Sequence, residues 1–129
     1  MRDIDFAGGK LAIKSCPWSL VVYEDHFGRD LSMDFQTMST SFAQTGHVDL
    51  AGLSRVMWCL ARTADASIPD YTPWMQGLPD DAFDGVATDY TDDGTWGQVV
   101  ADFGQAFFRT ALGGQKTRTR RGRSQGKDA

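Results

Sequence analysis

Residues 50–64 read LAGLSRVMWCLARTA. Leu50, Leu53, Met57, Leu60 and Ala64 recur at spacings of three, four, three and four, the strongest periodicity in the chain. That pattern is the apolar stripe of an amphipathic helix, expected over 50–63, with Trp58 and Cys59 beside the stripe. Asp49 stands where an N-cap belongs. Thr45-Gly46 breaks the chain just before it.

Working back from this helix, Leu31, Phe35, Met38 and Phe42 fall at spacings of four, three and four and predict a helix over 30–43. The Ser/Thr run at 37–41 weakens that pattern. Residues 17–27 predict another helix. Pro17 suits its first position, Leu20, Tyr23 and Phe27 form its stripe, Trp18, Val21 and Val22 widen it, and Gly28 ends it. Residues 3–14 read as a β-hairpin in which Ile4 and Phe6, then Leu11 and Ile13, alternate with polar neighbours around Gly8-Gly9. If Ala7 faces Lys10, then Phe6 faces Leu11, Ile4 faces Ile13, and Asp3 faces Lys14 on the other side. An isolated hairpin is marginal, so its apolar face must rest on helices.

Working forward, residues 65–95 hold Pro69, Pro73, Pro79 and eight aspartates, with no basic residue. Short helices are expected at 71–77 and 80–87. A last helix is expected at 95–112, capped by Asp or Thr and lined by Trp96, Val99, Val100, Phe103, Phe107, Ala111 and Leu112. The fold class is therefore mainly α (α+β): a small N-terminal antiparallel β-hairpin packed on about four to six helices. Residues 1–114 form one domain and residues 115–129 a basic, disordered tail.

The whole chain has 129 residues, 41% hydrophobic and 23% charged, with a net charge of −4. Seven Lys/Arg against 16 acids leave residues 1–114 at −9, whereas six against Asp128 leave the tail at +5. Such a body repels phosphate, so nucleic acid is open only to the tail, whose Arg118, Arg120, Arg121 and Arg123 suit phosphate contacts, an acidic protein partner or a purely solubilising role. No aromatic residue is interleaved there to stack a base. No apolar run is long enough to span a bilayer, and the first residues lead into no signal-peptide core, so a cytoplasmic protein without a membrane partner is expected. Cys16 and Cys59 form no Cys-x-x-Cys pair and are expected as reduced core residues.

Catalytic chemistry finds little to stand on. His26 and His47 lie in no nucleophile–base motif. Asp89 to Thr95 has the oxygen donors of a calcium loop at positions 1, 3 and 5 and Gly94 at 6. Val100, however, replaces the bidentate Glu of position 12, and helix capping accounts for the same residues. No catalytic residue, metal site or cofactor is expected. The eight Phe, four Trp and three Tyr point instead to binding. Short helices cannot hide them all, and Trp74, Met75, Phe107 and Phe108 are the expected exposed partner-binding residues.

The order of parts is similar to that of a known family. A hairpin at 4–14 leads to Glu24-Asp25-His26-Phe27-Gly28-Arg29-Asp30-Leu31, then to the Leu/Trp-rich helix from Leu50 to Leu60, a proline-broken acidic stretch and a last helix. Over residues 4–112 this resembles the tail assembly chaperones of long-tailed bacteriophages and prophages. The resemblance implies a non-enzymatic protein that binds the tape measure protein and tail tube subunits during assembly and is absent from the mature virion. A homo-oligomer is compatible with it, and in many members a frameshift makes a longer product. The Arg-rich end and the 16 Asp against one Glu depart from many relatives. Two other classes compete: a nucleic-acid-associated regulator acting through the tail, and a small enzyme using the acidic loop with a metal.

Overall fold

The computed structural model describes residues 1–86, 91 and 93–108. Among these residues two strands, β1 (Arg2–Phe6) and β2 (Gly9–Ile13), precede five helices: α1 (Pro17–Phe27), α2 (Leu31–Thr45), α3 (Leu50–Ala64), α4 (Tyr71–Gln76) and α5 (Thr95–Phe107). The α+β class with an N-terminal antiparallel hairpin is as expected.

α3 is the axis of the molecule. Nine of its residues, Gly52 to Ser54 and Val56 to Ala61, are buried, because α1, α2, α4 and β2 all pack around it. A helix surrounded in this way can be apolar well beyond one stripe. Asp49 caps it, its Oδ1 accepting the Gly52 N–H at 3.1 Å. β2 runs on into α3 through the Lys14 N–H, which donates to the Leu60 carbonyl at 3.1 Å. α5 closes the other flank by packing on β1.

The hairpin register differs from the expected one by two residues. Ile4 faces Leu11, Asp5 faces Lys10 and Phe6 faces Gly9, so the turn is Ala7-Gly8. Both turn residues have positive φ, +54° and +78°, as a tight twisted hairpin turn requires. Because the shift is even, Ile4, Phe6, Leu11 and Ile13 keep a common face. The expected Asp3–Lys14 pair does not form. Asp5 pairs with Lys10 instead, and that contact holds the Asp5 carboxyl below its usual range and lifts the Lys10 ammonium.

The helix ends follow local chemistry. Cys16 precedes Pro17; its N–H donates to Ser19 Oγ at 3.2 Å, and that hydroxyl donates to the Lys14 carbonyl at 3.1 Å. Cys16 is thus half-buried at a helix start, not in the core, whereas Cys59 is fully buried. Asp30 caps α2 by accepting the Met33 N–H. The Ser/Thr run at 37–41 does not interrupt α2. The expected helix at 80–87 is absent over its described residues: Ala82, Asp84 and Val86 each donate to the carbonyl three residues back, making successive turns. α5 starts after Gly94, with no side-chain cap, and Thr95 Oγ1 donates instead to the Asp5 carbonyl at 2.8 Å. It ends at Phe107; residues 109–112 of the expected helix and the whole basic tail lie outside the described residues.

Candidate protein-docking surfaces

Besides the Phe6, Trp74 and Phe83 cluster, the aromatic rings form two further sets. Tyr23 and Phe27 of α1, Trp58 of α3 and Tyr71 of α4 form one, with Phe27 5.5 Å from Trp58 and 5.1 Å from Tyr71. Phe35 and Phe42 of α2 and Trp96, Phe103 and Phe107 of α5 form the other, with Phe35 stacked on Phe103 at 4.2 Å. Phe35 of the second set lines a groove of about 510 Å3 between α2 and α5. Phe35, Val100 and Phe108 supply its apolar surface, and Gly104 leaves room between them. Gln36, Ser39 and Thr40 form the α2 rim. A shallower depression continues over Met33, Thr37 and Gln44 and shares Gln36 and Thr40 with the groove.

The charge pattern of this face is unusual for the chain. α2 has 15 residues and one charged side chain, Asp34; α5 has 13 and one, Asp102. Both carboxylates are committed elsewhere. Asp34 accepts from Arg29 Nε at 2.6 Å, Arg29 Nη2 at 2.9 Å and the Tyr23 hydroxyl at 2.8 Å. The Arg29 guanidinium holds its carboxyl below the usual range, while burial pushes the Tyr23 phenol up to about 12. Asp102 accepts from Ser15 Oγ at 2.6 Å and pairs with Arg2 at 3.6 Å. In a chain whose first 114 residues carry −9, the described residues of this face therefore show only apolar, hydroxyl and amide groups, with Met33 59% exposed. Depletion of charge around apolar residues is the mark of an interface core.

A second surface lies on α1. Trp18 and Val21 are 60% and 40% exposed. Trp18, Val22, Asp25 and His26 face Trp58 and Arg62 of α3 across a cleft of about 320 Å3. The His26 ring rests against Trp58 at 4.4 Å, and the Arg62 guanidinium lies 5.5 Å from the same indole.

The expected partner-binding residues fare unevenly. Trp74 is buried, stacked 6.1 Å from Phe6, so it is a core residue and not an exposed anchor; Met75 is half-buried against the core. The reason is that Phe6, at the turn end of the hairpin's apolar face, needs a cover, and Trp74 of α4 supplies it together with Phe83. Phe107 packs on Phe103 at 4.7 Å and is half-buried. Phe108 is half-buried and lines the groove. Arg118, Arg120, Arg121 and Arg123 lie outside the described residues, as do Asp89, Tyr90 and Asp92 of the calcium-like loop. Sequence reading missed Trp18, Val21 and Met33 as exposed. The signal was present in α1, whose apolar residues occupy so many directions that some must face outward.

Other chemistry is sparse among the described residues. They hold no group of three or more His, Cys, Asp or Glu placed to bind a metal, and no helix long and apolar enough to cross a membrane. Burial pushes the Cys59 thiol up to about 12, which suppresses its thiolate. Compared with protein-family models, with curated proteins and with solved structures, the chain gives no match in any of the three.

Proposed function

We propose that this protein is a non-enzymatic binding protein of the tail-assembly-chaperone kind. It covers apolar helix faces of a long client, the tape measure protein, and presents the complex to tail tube subunits in the host cytoplasm. The observation that carries the reading is the uncharged α2/α5 face with its groove over Phe35, Val100 and Phe108. A groove of this shape accepts the apolar stripe of an amphipathic helix. Its neutral rim of Gln36, Ser39 and Thr40 leaves no charge to desolvate when the helix docks. The carboxylates elsewhere on the body keep a client-loaded complex in solution through net charge. The order of hairpin, Glu24–Leu31 segment and Leu/Trp-rich helix supports the same reading by resemblance.

The test is co-expression with a tape measure protein of a long-tailed phage, followed by size-exclusion chromatography with light scattering. The expected result is a defined complex that holds the client in solution. A client that aggregates equally with and without this protein, and elutes apart from it, would overturn the proposal.

A further inference from the structure

The outward stripe of α1 is separate from the α2/α5 groove and has a different chemistry. Trp18, Val21, Val22 and Asp25 recur at i, i+3, i+4 and i+7, so one helix face carries them all. Trp18 and Asp25 stand roughly 10 Å apart along that face, from the rise of 1.5 Å per residue. Of this stripe folding uses Val22, which is half-buried against the core. The buried side of α1 is Ser19 and Tyr23, while Trp18 and Val21 stay exposed.

The two acids of α1 are also misplaced for stability. No acid stands in the first turn, and Glu24 and Asp25 sit in the last, where the helix dipole disfavours anions. Neither forms an ion pair among the described residues. The nearest cation across the cleft, Arg62, is already bound to Asp70 at 3.2 Å and lies over Trp58.

We propose that this stripe is a second docking site, for a helix of another protein that carries an apolar anchor and, two turns away, a lysine or arginine. The anchor lies against Trp18 and Val21, and the cation pairs with Asp25. Charge complementarity selects this occupant over two others. A second copy of α1 cannot supply the cation, because Pro17–Phe27 contains no Lys or Arg. Residues 115–128 of this chain cannot supply the anchor, because they contain no apolar side chain; Leu112 with Arg118 is the own-chain alternative, which truncation after residue 108 reads.

The test uses the full-length protein and three helical peptides of one scaffold: a leucine anchor with arginine seven positions on, the same anchor with glutamate there, and the arginine without the anchor. Titration calorimetry at low and moderate salt reads the affinities. The anchor-plus-arginine peptide is expected to bind at least tenfold more tightly than either of the others, and to weaken as salt is raised. Asp25→Lys, at an exposed position, is expected to reverse the preference toward the glutamate peptide; Trp18→Ala is expected to weaken both. Equal affinity for the arginine and glutamate peptides, no binding, or a preference unchanged by Asp25→Lys would overturn the proposal. So would a dimer that dissociates in Trp18→Ala, or peptide binding that appears only once residues 109–129 are removed.

Discussion

Replacing Gly52 by alanine tests how α3 is seated. In an ordinary helix the change stabilises by about 1 kcal/mol, through propensity alone. Here the new Cβ would stand 2.8 Å from Asp49 Oδ2 and 3.3 Å from Met38 Sδ. The Asp49 carboxylate must swing away, and its bond to the Gly52 N–H is then lost, costing about 1 kcal/mol. Crowding Met38, which is buried on the inner side of α2, costs about another 1 kcal/mol. The three effects leave Gly52→Ala destabilised by roughly 1 kcal/mol, or about 4 °C in Tm for a domain of this size.

The mechanism is separable by a double-mutant cycle read by thermal and urea denaturation. Asp49→Ala alone is expected to cost about 1 kcal/mol. In that background the cap is already gone, so Gly52→Ala is expected to cost close to nothing, a coupling of about 1 kcal/mol. A rise in Tm for the single variant, or an equal cost in both backgrounds, would refute the reasoning.

Further predictions concern the hairpin turn, acid stability and the thiols. Ala7 holds a φ of +54°, a strained conformation for a residue with a Cβ, and Asn tolerates it better; Ala7→Asn is expected to raise stability by about 0.5–1 kcal/mol by urea denaturation. Asp34 has a carboxyl held low by Arg29, so its contribution is present above the ordinary carboxylate value and is lost as pH falls through its own lower one. Wild type is therefore expected to exceed Asp34→Asn in Tm at pH 7, with the gap closing on acidification; a gap that widens would contradict that assignment. A thiol reagent at pH 8 is expected to label half-buried Cys16 well before Cys59, as read by mass after peptide mapping.

Much of this fold was written in local signals. The 50–64 periodicity, Asp49 as cap, Gly28 and Gly46 as helix ends and Pro17 as helix start all act within a few residues, and each appears where expected. What local pattern could not decide depended on tertiary partners. The hairpin register was set by its turn and by Asp5 meeting Lys10, not by which glycines were adjacent. Trp74 looked exposed because it lies in a proline-broken segment, yet α4 folds back to cover Phe6. Trp18 looked like core because it neighbours Leu20 and Val21, yet α1 turns Ser19 and Tyr23 inward. The candidate docking face was partly legible: Phe108 was expected to be exposed and is half-buried in the groove, while the scarcity of charge across two helices becomes a surface only when α2 and α5 are side by side.

The central claim is that the uncharged α2/α5 face receives the client helix, and a charge placed on its rim tests it most directly. Thr40 is exposed and belongs to both the groove and the depression beside it, so Thr40→Glu leaves the core intact. Affinity for the co-expressed client would be measured for wild type, Thr40→Glu and a control of the same chemistry at exposed Thr72 of α4, Thr72→Glu. The account predicts that Thr40→Glu loses at least tenfold in affinity with its Tm unchanged while Thr72→Glu binds as wild type does; equal binding by all three would contradict it.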